Sequence, residues 1–186
     1  MSGSLYLHPK DPWQTPPPAE AVLAVLRELA MLGEPHGDAS WLAGDGLLRQ
    51  ITFAGCSPHL EFTPPAGGGS NFCHLALLGP YAVPRMFTGP GTVNPRCPAC
   101  KTRVADWRPL ATAYAAAPGA DWSCPACGAT QRIDALRWRH HAAFGRLLVE
   151  IRSVFPAEGM PSDELLMALE QATGMSWTHA WAASSA

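Results

Sequence analysis

Cys97-Pro98-Ala99-Cys100 and Cys124-Pro125-Ala126-Cys127 are one four-residue loop written twice, with 23 residues between the copies. No other feature restricts the fold as strongly. A C-x2-C loop aims two sulfurs at one point while its backbone N–H groups bond to them. Two such loops complete a tetrahedral set of four sulfurs, which suits Zn2+ at about 2.3 Å per Zn–S bond. Iron is an alternative occupant of the same thiolates, and redox or disulfide chemistry is a third reading. A redox pair opens a helix after a strand, whereas here each pair has Pro after its first Cys and the second pair is followed by Gly128. Duplication also points to one shared metal. Four thiolates leave no open coordination position, so the site is expected to be structural.

The two loops, with Gly128 after the second, resemble the zinc ribbon, a fold known by its two rubredoxin-type knuckles. The resemblance covers about residues 95–133. It implies one Zn2+ held by Cys97, Cys100, Cys124 and Cys127, with Lys101–Ser123 forming a hairpin or a three-stranded ribbon. Lys101 stands where the family usually has Gly, which implies a different or mildly strained turn in the first knuckle.

The rest of the chain predicts an α+β host. Of 186 residues, 47% are hydrophobic and 15% charged, which excludes wholesale disorder. Ser4–His8 reads as an edge strand. Pro18, Glu20 and Gly33 bracket a helix over about residues 19–32, with Val22, Val25, Leu26, Leu29 and Leu32 on one face. Leu47–Ala54, Asn71–Leu78, residues 147–152 and Ser176–Ala182 read as strands. Pro80, Pro84, Pro90 and Pro95 make residues 79–95 a linker. Ser162 caps a second helix with Leu165, Leu166, Leu169 and Ala172 as its stripe, ended by Gly174. The order predicts a mostly antiparallel sheet with two helices on one face, in a ferredoxin-like arrangement. The host is then discontinuous, residues 1–94 and 134–186, with the ribbon inserted at 95–133.

Two cysteines stand apart. Cys56 and His59 form a C-x2-H, and Cys73 and His74 are adjacent; together they could offer a second metal site. Neighbours on a strand point to opposite faces, however, and free Cys is commonly buried, so a core role is the simpler expectation. The same geometry makes His140-His141 a polar patch rather than a ligand pair. Gly67-Gly68-Gly69 does not open a helix and so is no phosphate loop. No nucleophile-and-base motif or carboxylate dyad can be read, so the sequence offers no positive evidence for an enzyme.

Charge is uneven. Residues 95–140 carry a net +4, while the segments on either side carry −3 each. The expectation is a non-catalytic binding protein that uses Arg103, Arg108, Arg137 and Arg139 to meet a macromolecular partner. A protein partner is favoured over nucleic acid, since +4 is a modest basic footprint on a chain of net −2. A small-ligand binder or enzyme with the ribbon as scaffold is the remaining alternative. Trp107, Trp122 and Trp138 lie in or beside the basic segment; Trp107 and Trp122 are expected to cover its small core rather than stack on bases. No apolar stretch is long enough to span a membrane and the N-terminus lacks a secretory pattern, so a cytoplasmic location is expected.

Overall fold

The computed structural model describes residues 3–53, 60–69, 71–154 and 159–183. In chain order its elements are β1 (Gly3–Pro9), α1 (Ala19–Glu28), β2 (Leu32–Pro35), β3 (Ser40–Ala43), the single turn α2 (Leu47–Gln50) and β4 (Ile51–Phe53). Then follow β5 (His74–Leu78), β6 (Arg85–Phe87), α3 (Arg108–Ala116), β7 (Asp121–Ser123) and β8 (Thr130–Arg132). A 3-10 turn at Ile133–Ala135 leads to β9 (Ala143–Gly145), β10 (Leu148–Val154), β11 (Gly159–Pro161), α4 (Asp163–Thr173) and β12 (Trp177–Ala183).

The main sheet has six strands in the order β12-β1-β10-β5-β3-β2. Every neighbouring pair in it runs antiparallel. The fold is thus α+β with a mostly antiparallel sheet, and the described residues hold four α-helices where two were expected. Its strand order does not confirm the ferredoxin-like arrangement. β1 is not an edge strand. It lies between β10 and β12, and all seven of its residues are buried. Leu5 and Leu7 face the helices α1 and α4, whereas Tyr6 packs on Leu148, Ala180 and Ala182 across the other face.

Helix α1 stops four residues before the expected end. Ala30 takes φ +54°, and the Ala30 and Met31 N–H groups donate to the carbonyls of Arg27 and Leu26, both at 2.8 Å. This is a Schellman ending with Ala in the left-handed position, and it frees residues 32–35 to become β2. The loop through Gly46 then comes back against the helix end, where Gly46 N–H donates to Ala30 O and a Cβ would sit 1.9 Å from Leu29 O. Leu47–Gln50, expected to begin a strand, forms one helical turn before β4. Helix α4 follows its sequence cues: Ser162 Oγ accepts from Leu165 N–H at 3.1 Å, and Gly174 closes the end.

A second apolar cluster gathers Val104, Leu110, Tyr114, Ile133, Leu136, Trp138, Ala142 and Phe144. Helix α3, with Pro109 in its first turn, supplies two of them. The chain departs after β6 and returns at β9, and these two strands pair side by side. The cysteine loops lie between those points.

Candidate metal centre

The two cysteine loops have matching backbones. In the first, Lys101 N–H donates to Cys97 O at 2.9 Å and Cys97 N–H to Thr102 O at 2.9 Å. In the second, Gly128 N–H donates to Cys124 O at 2.8 Å and Cys124 N–H to Ala129 O at 2.9 Å. Lys101 and Gly128 both occupy the left-handed region, at φ +64° and +72°. The first turn is therefore the same turn, with a lysine held where glycine is at ease.

The four Sγ atoms all lie within 4.8 Å of one another. Cys97 and Cys127 are 3.9 Å apart, and Cys100 and Cys124 are 3.6 Å apart. A tetrahedron with arms of about 2.3 Å has edges of about 3.8 Å, so the sulfurs fit a four-thiolate ion. Cys97 and Cys124 are buried, while Cys100 and Cys127 are exposed. Around them, Gln131 Nε2 donates to Cys97 Sγ at 3.5 Å, and Thr102 Oγ1 lies 3.3 Å from Cys100 Sγ. Polar neighbours of this kind orient ligands and stabilise the thiolate form.

The electrostatics agree. The Thr102 hydroxyl and backbone N–H bring the Cys100 thiol down to about 6, and the Cys100 and Ala99 N–H groups lower Cys97. The Ala129 N–H favours the Cys127 thiolate, but the three neighbouring sulfurs and burial outweigh it and push the thiol up to about 12. Four sulfurs this close cannot all ionise without a cation among them; a divalent ion removes that obstacle. Among the described residues, this is the one group of three or more His, Cys, Asp or Glu side chains close enough to hold an ion.

Cys73 and His74 are not brought together. Cys73 lies in the core under the helices, where burial pushes its thiol up to about 12. His74 points the other way, stacked on Phe72 with ring centroids 4.5 Å apart. Its Nδ1–H donates to Phe72 O at 2.9 Å, leaving Nε2 to face Arg152 Nη1 at 3.4 Å. Cys56 and His59 lie outside the described residues. His140 stacks on His179 at 4.3 Å, and His141 turns towards Trp181.

The nominated arginines divide. Arg108 is ion-paired with Asp106 at 3.1 Å and lies over the Trp107 ring. Arg139 sits in the turn after the extended stretch 136–138, at φ +52°, and lines a cleft of about 230 Å3 with His8, His140 and His179. Arg103 and Arg137 each bridge to Arg96, which the sequence did not single out. Trp107 and Trp122 are half-buried against the second cluster, and Trp138 is buried with its Nε1–H donating to Ile133 O at 2.9 Å. Among the described residues, no helix is long and apolar enough to cross a membrane. No protein family, curated protein or solved structure compared with this chain matches it.

Proposed function

We propose that Cys97, Cys100, Cys124 and Cys127 hold one structural Zn2+, and that residues 95–133 form a zinc ribbon inserted into an α+β host. In this reading the protein is a cytoplasmic, non-catalytic binding protein, and the ribbon presents its basic surface to a protein partner. The observation that carries it is the convergence of four sulfurs from two matching loops, with separations of a four-thiolate ion. A closed thiolate set has no position for substrate, which supports a scaffold role. Protein is favoured over nucleic acid because Trp107 and Trp122 are engaged with the second cluster and the chain is acidic on balance.

Elemental analysis and thiol counting test the metal. One zinc per chain is expected, with the four ligand thiols protected from alkylation until a chelator is added. Metal-free protein with Cys97–Cys127 or Cys100–Cys124 disulfides would defeat the reading. Capture of the native partner, compared between wild type and R103E/R137E, tests the binding role. Capture undiminished by charge reversal would move the contact to the host.

A further inference from the structure

Residues 95–97, 102–104 and 136–138 run side by side next to the cysteine cluster, joined by two antiparallel bridges. Arg96 N–H donates to Arg137 O at 3.1 Å and Arg137 N–H to Arg96 O at 2.9 Å, a hydrogen-bonded antiparallel pair. On its other side Arg96 faces Arg103, and this pair is bracketed by Cys97 N–H to Thr102 O and Val104 N–H to Pro95 O, each 2.9 Å. The bracketing makes it a non-hydrogen-bonded pair. Directly opposed residues share a face, with Cα separations of about 5.5 Å in the first kind of pair and about 4.5 Å in the second. Three arginines therefore stand abreast in a row of about 10 Å.

The pleat explains why they face outward. Pro95, Cys97, Val104, Leu136 and Trp138 alternate with them and are buried, whereas Arg96, Arg103 and Arg137 are all exposed. Like charges directly opposed across strands are destabilising. Among the described residues no carboxylate pairs with them: the ion pairs there involve Arg27, Arg108, Arg132 and Arg152. Among the described residues, the one hydrogen bond these guanidinium groups make runs from Arg96 Nη1 to Lys101 O at 3.0 Å. That bond orients Arg96 and leaves its charge unneutralised.

We propose that the Arg96–Arg103–Arg137 row is a recognition face for an acidic protein segment, whose carboxylates it takes in forked guanidinium contacts. The proposal rests on the binding role argued above and names the chemistry of its partner. Arginine's planar fork matches carboxylate geometry, and side by side the three can engage successive acidic side chains. An acidic peptide is favoured over nucleic acid by what surrounds the row. Trp107 and Trp122 are half-buried and Trp138 buried in the second cluster, which leaves bases little to stack on, and the segments on either side are acidic enough to repel a long polyanion.

The test uses zinc-loaded full-length protein, a fluorescein-labelled hexaglutamate peptide, and a labelled single-stranded oligonucleotide of equal charge. Fluorescence anisotropy at low salt should show peptide binding weakened at least tenfold in R96Q/R103Q/R137Q and unchanged in R49Q, which removes the exposed Arg49 of α2. The lysine triple variant should fall between, since it keeps charge without the fork. Single variants R103Q and R137Q keep the question answerable should the triple variant fail to fold. Equal peptide binding by wild type and variants overturns the proposal, as does tighter row-dependent binding of the oligonucleotide. Metal content and melting temperature are read on the same samples. Zinc lost with the arginines would make the row a counter-charge to the thiolates and overturn it too. Absent peptide binding with zinc intact removes the row alone and leaves the metal centre standing.

Discussion

At the scale of single residues, the two loops form an internal experiment. Lys101 and Gly128 occupy the same position in matching turns, at nearly the same left-handed φ. An L-residue there costs roughly 1–2 kcal/mol, of which glycine's extra freedom in the unfolded chain returns about half. A Cβ on Gly128 would meet nothing within 4 Å, so the penalty at this position is one of backbone alone. Lys101→Gly should therefore stabilise the zinc-loaded protein by about 0.5–1 kcal/mol, and Gly128→Ala should cost about as much. Melting curves and competition with a chromophoric chelator would read both. A Lys101→Gly variant no more stable than wild type would mean that the lysine side chain contributes to its turn. The four-cysteine cluster was legible from spacing alone, because a C-x2-C loop is a local object. The arginine row was not, because a cross-strand neighbour 41 residues away leaves no trace in local spacing.

At the scale of elements, short-range cues served well where the local sequence alone decides. Helix α4 keeps its Ser162 cap and Gly174 end, and β5, β10 and β12 fall where apolar runs placed them. The cues failed where a tertiary contact decides: α1 ends at Glu28, with Ala30 left-handed and Met31 buried in the core, ahead of Gly33. Helix α3 carried its own mark, Pro109 ahead of an alanine-rich run, which the expectation of ribbon strands obscured. β1 looked like an edge because it is short and closed by Pro9, yet it is paired on both sides and its polar face is covered. There Glu150 on β10 accepts from the hydroxyls of Ser4 at 2.7 Å and Tyr6 at 3.0 Å, and from Arg152 Nε at 2.8 Å. Burial and Glu150 raise the Tyr6 phenol far above its ordinary value, so it stays a donor. Removing the carboxylate leaves two hydroxyls and a guanidinium without their acceptor. Glu150→Ala should cost about 3 kcal/mol, the low end for a buried pair because Arg152 is partly solvated, and Tyr6→Phe about 1–2 kcal/mol. Urea unfolding would measure both, and a loss under 1 kcal/mol for Glu150→Ala would show that the network is dispensable.

At the scale of the molecule, the sheet and the second cluster meet at a histidine-lined seam. Trp181 N–H, on the outer side of β12, donates to His140 O at 2.6 Å, which closes that sheet edge with the turn after Trp138. His8 and His179 line the same cleft as His140, Lys10, Asp134 and Arg139. Burial lowers the His8 and His179 imidazoles to about 4, with His140 adding repulsion, and His179 Nε2 is buried with no hydrogen-bond partner among the described residues. Asp134, the acid among the lining residues, is engaged by Trp13 Nε1 and by Arg132 at 3.0 Å, so it does not offset that repulsion. The sign follows from proton counting. In the unfolded chain both imidazoles titrate near 6.5, so between about pH 6.5 and pH 4 the unfolded state binds protons that the native state refuses. Stability is then fully present above pH 6.5 and falls as pH drops through this window, by at most about 1.4 kcal/mol per pH unit for each imidazole. In the proposed zinc form, thiolate protonation would release metal as pH falls, so the informative quantity is the difference between wild type and His8→Gln/His179→Gln, both prepared with zinc. The variant should lose less melting temperature than wild type between pH 7 and pH 4.5. Parallel profiles would mean that these imidazoles take up protons in the native protein, and that the seam opens to water without unfolding.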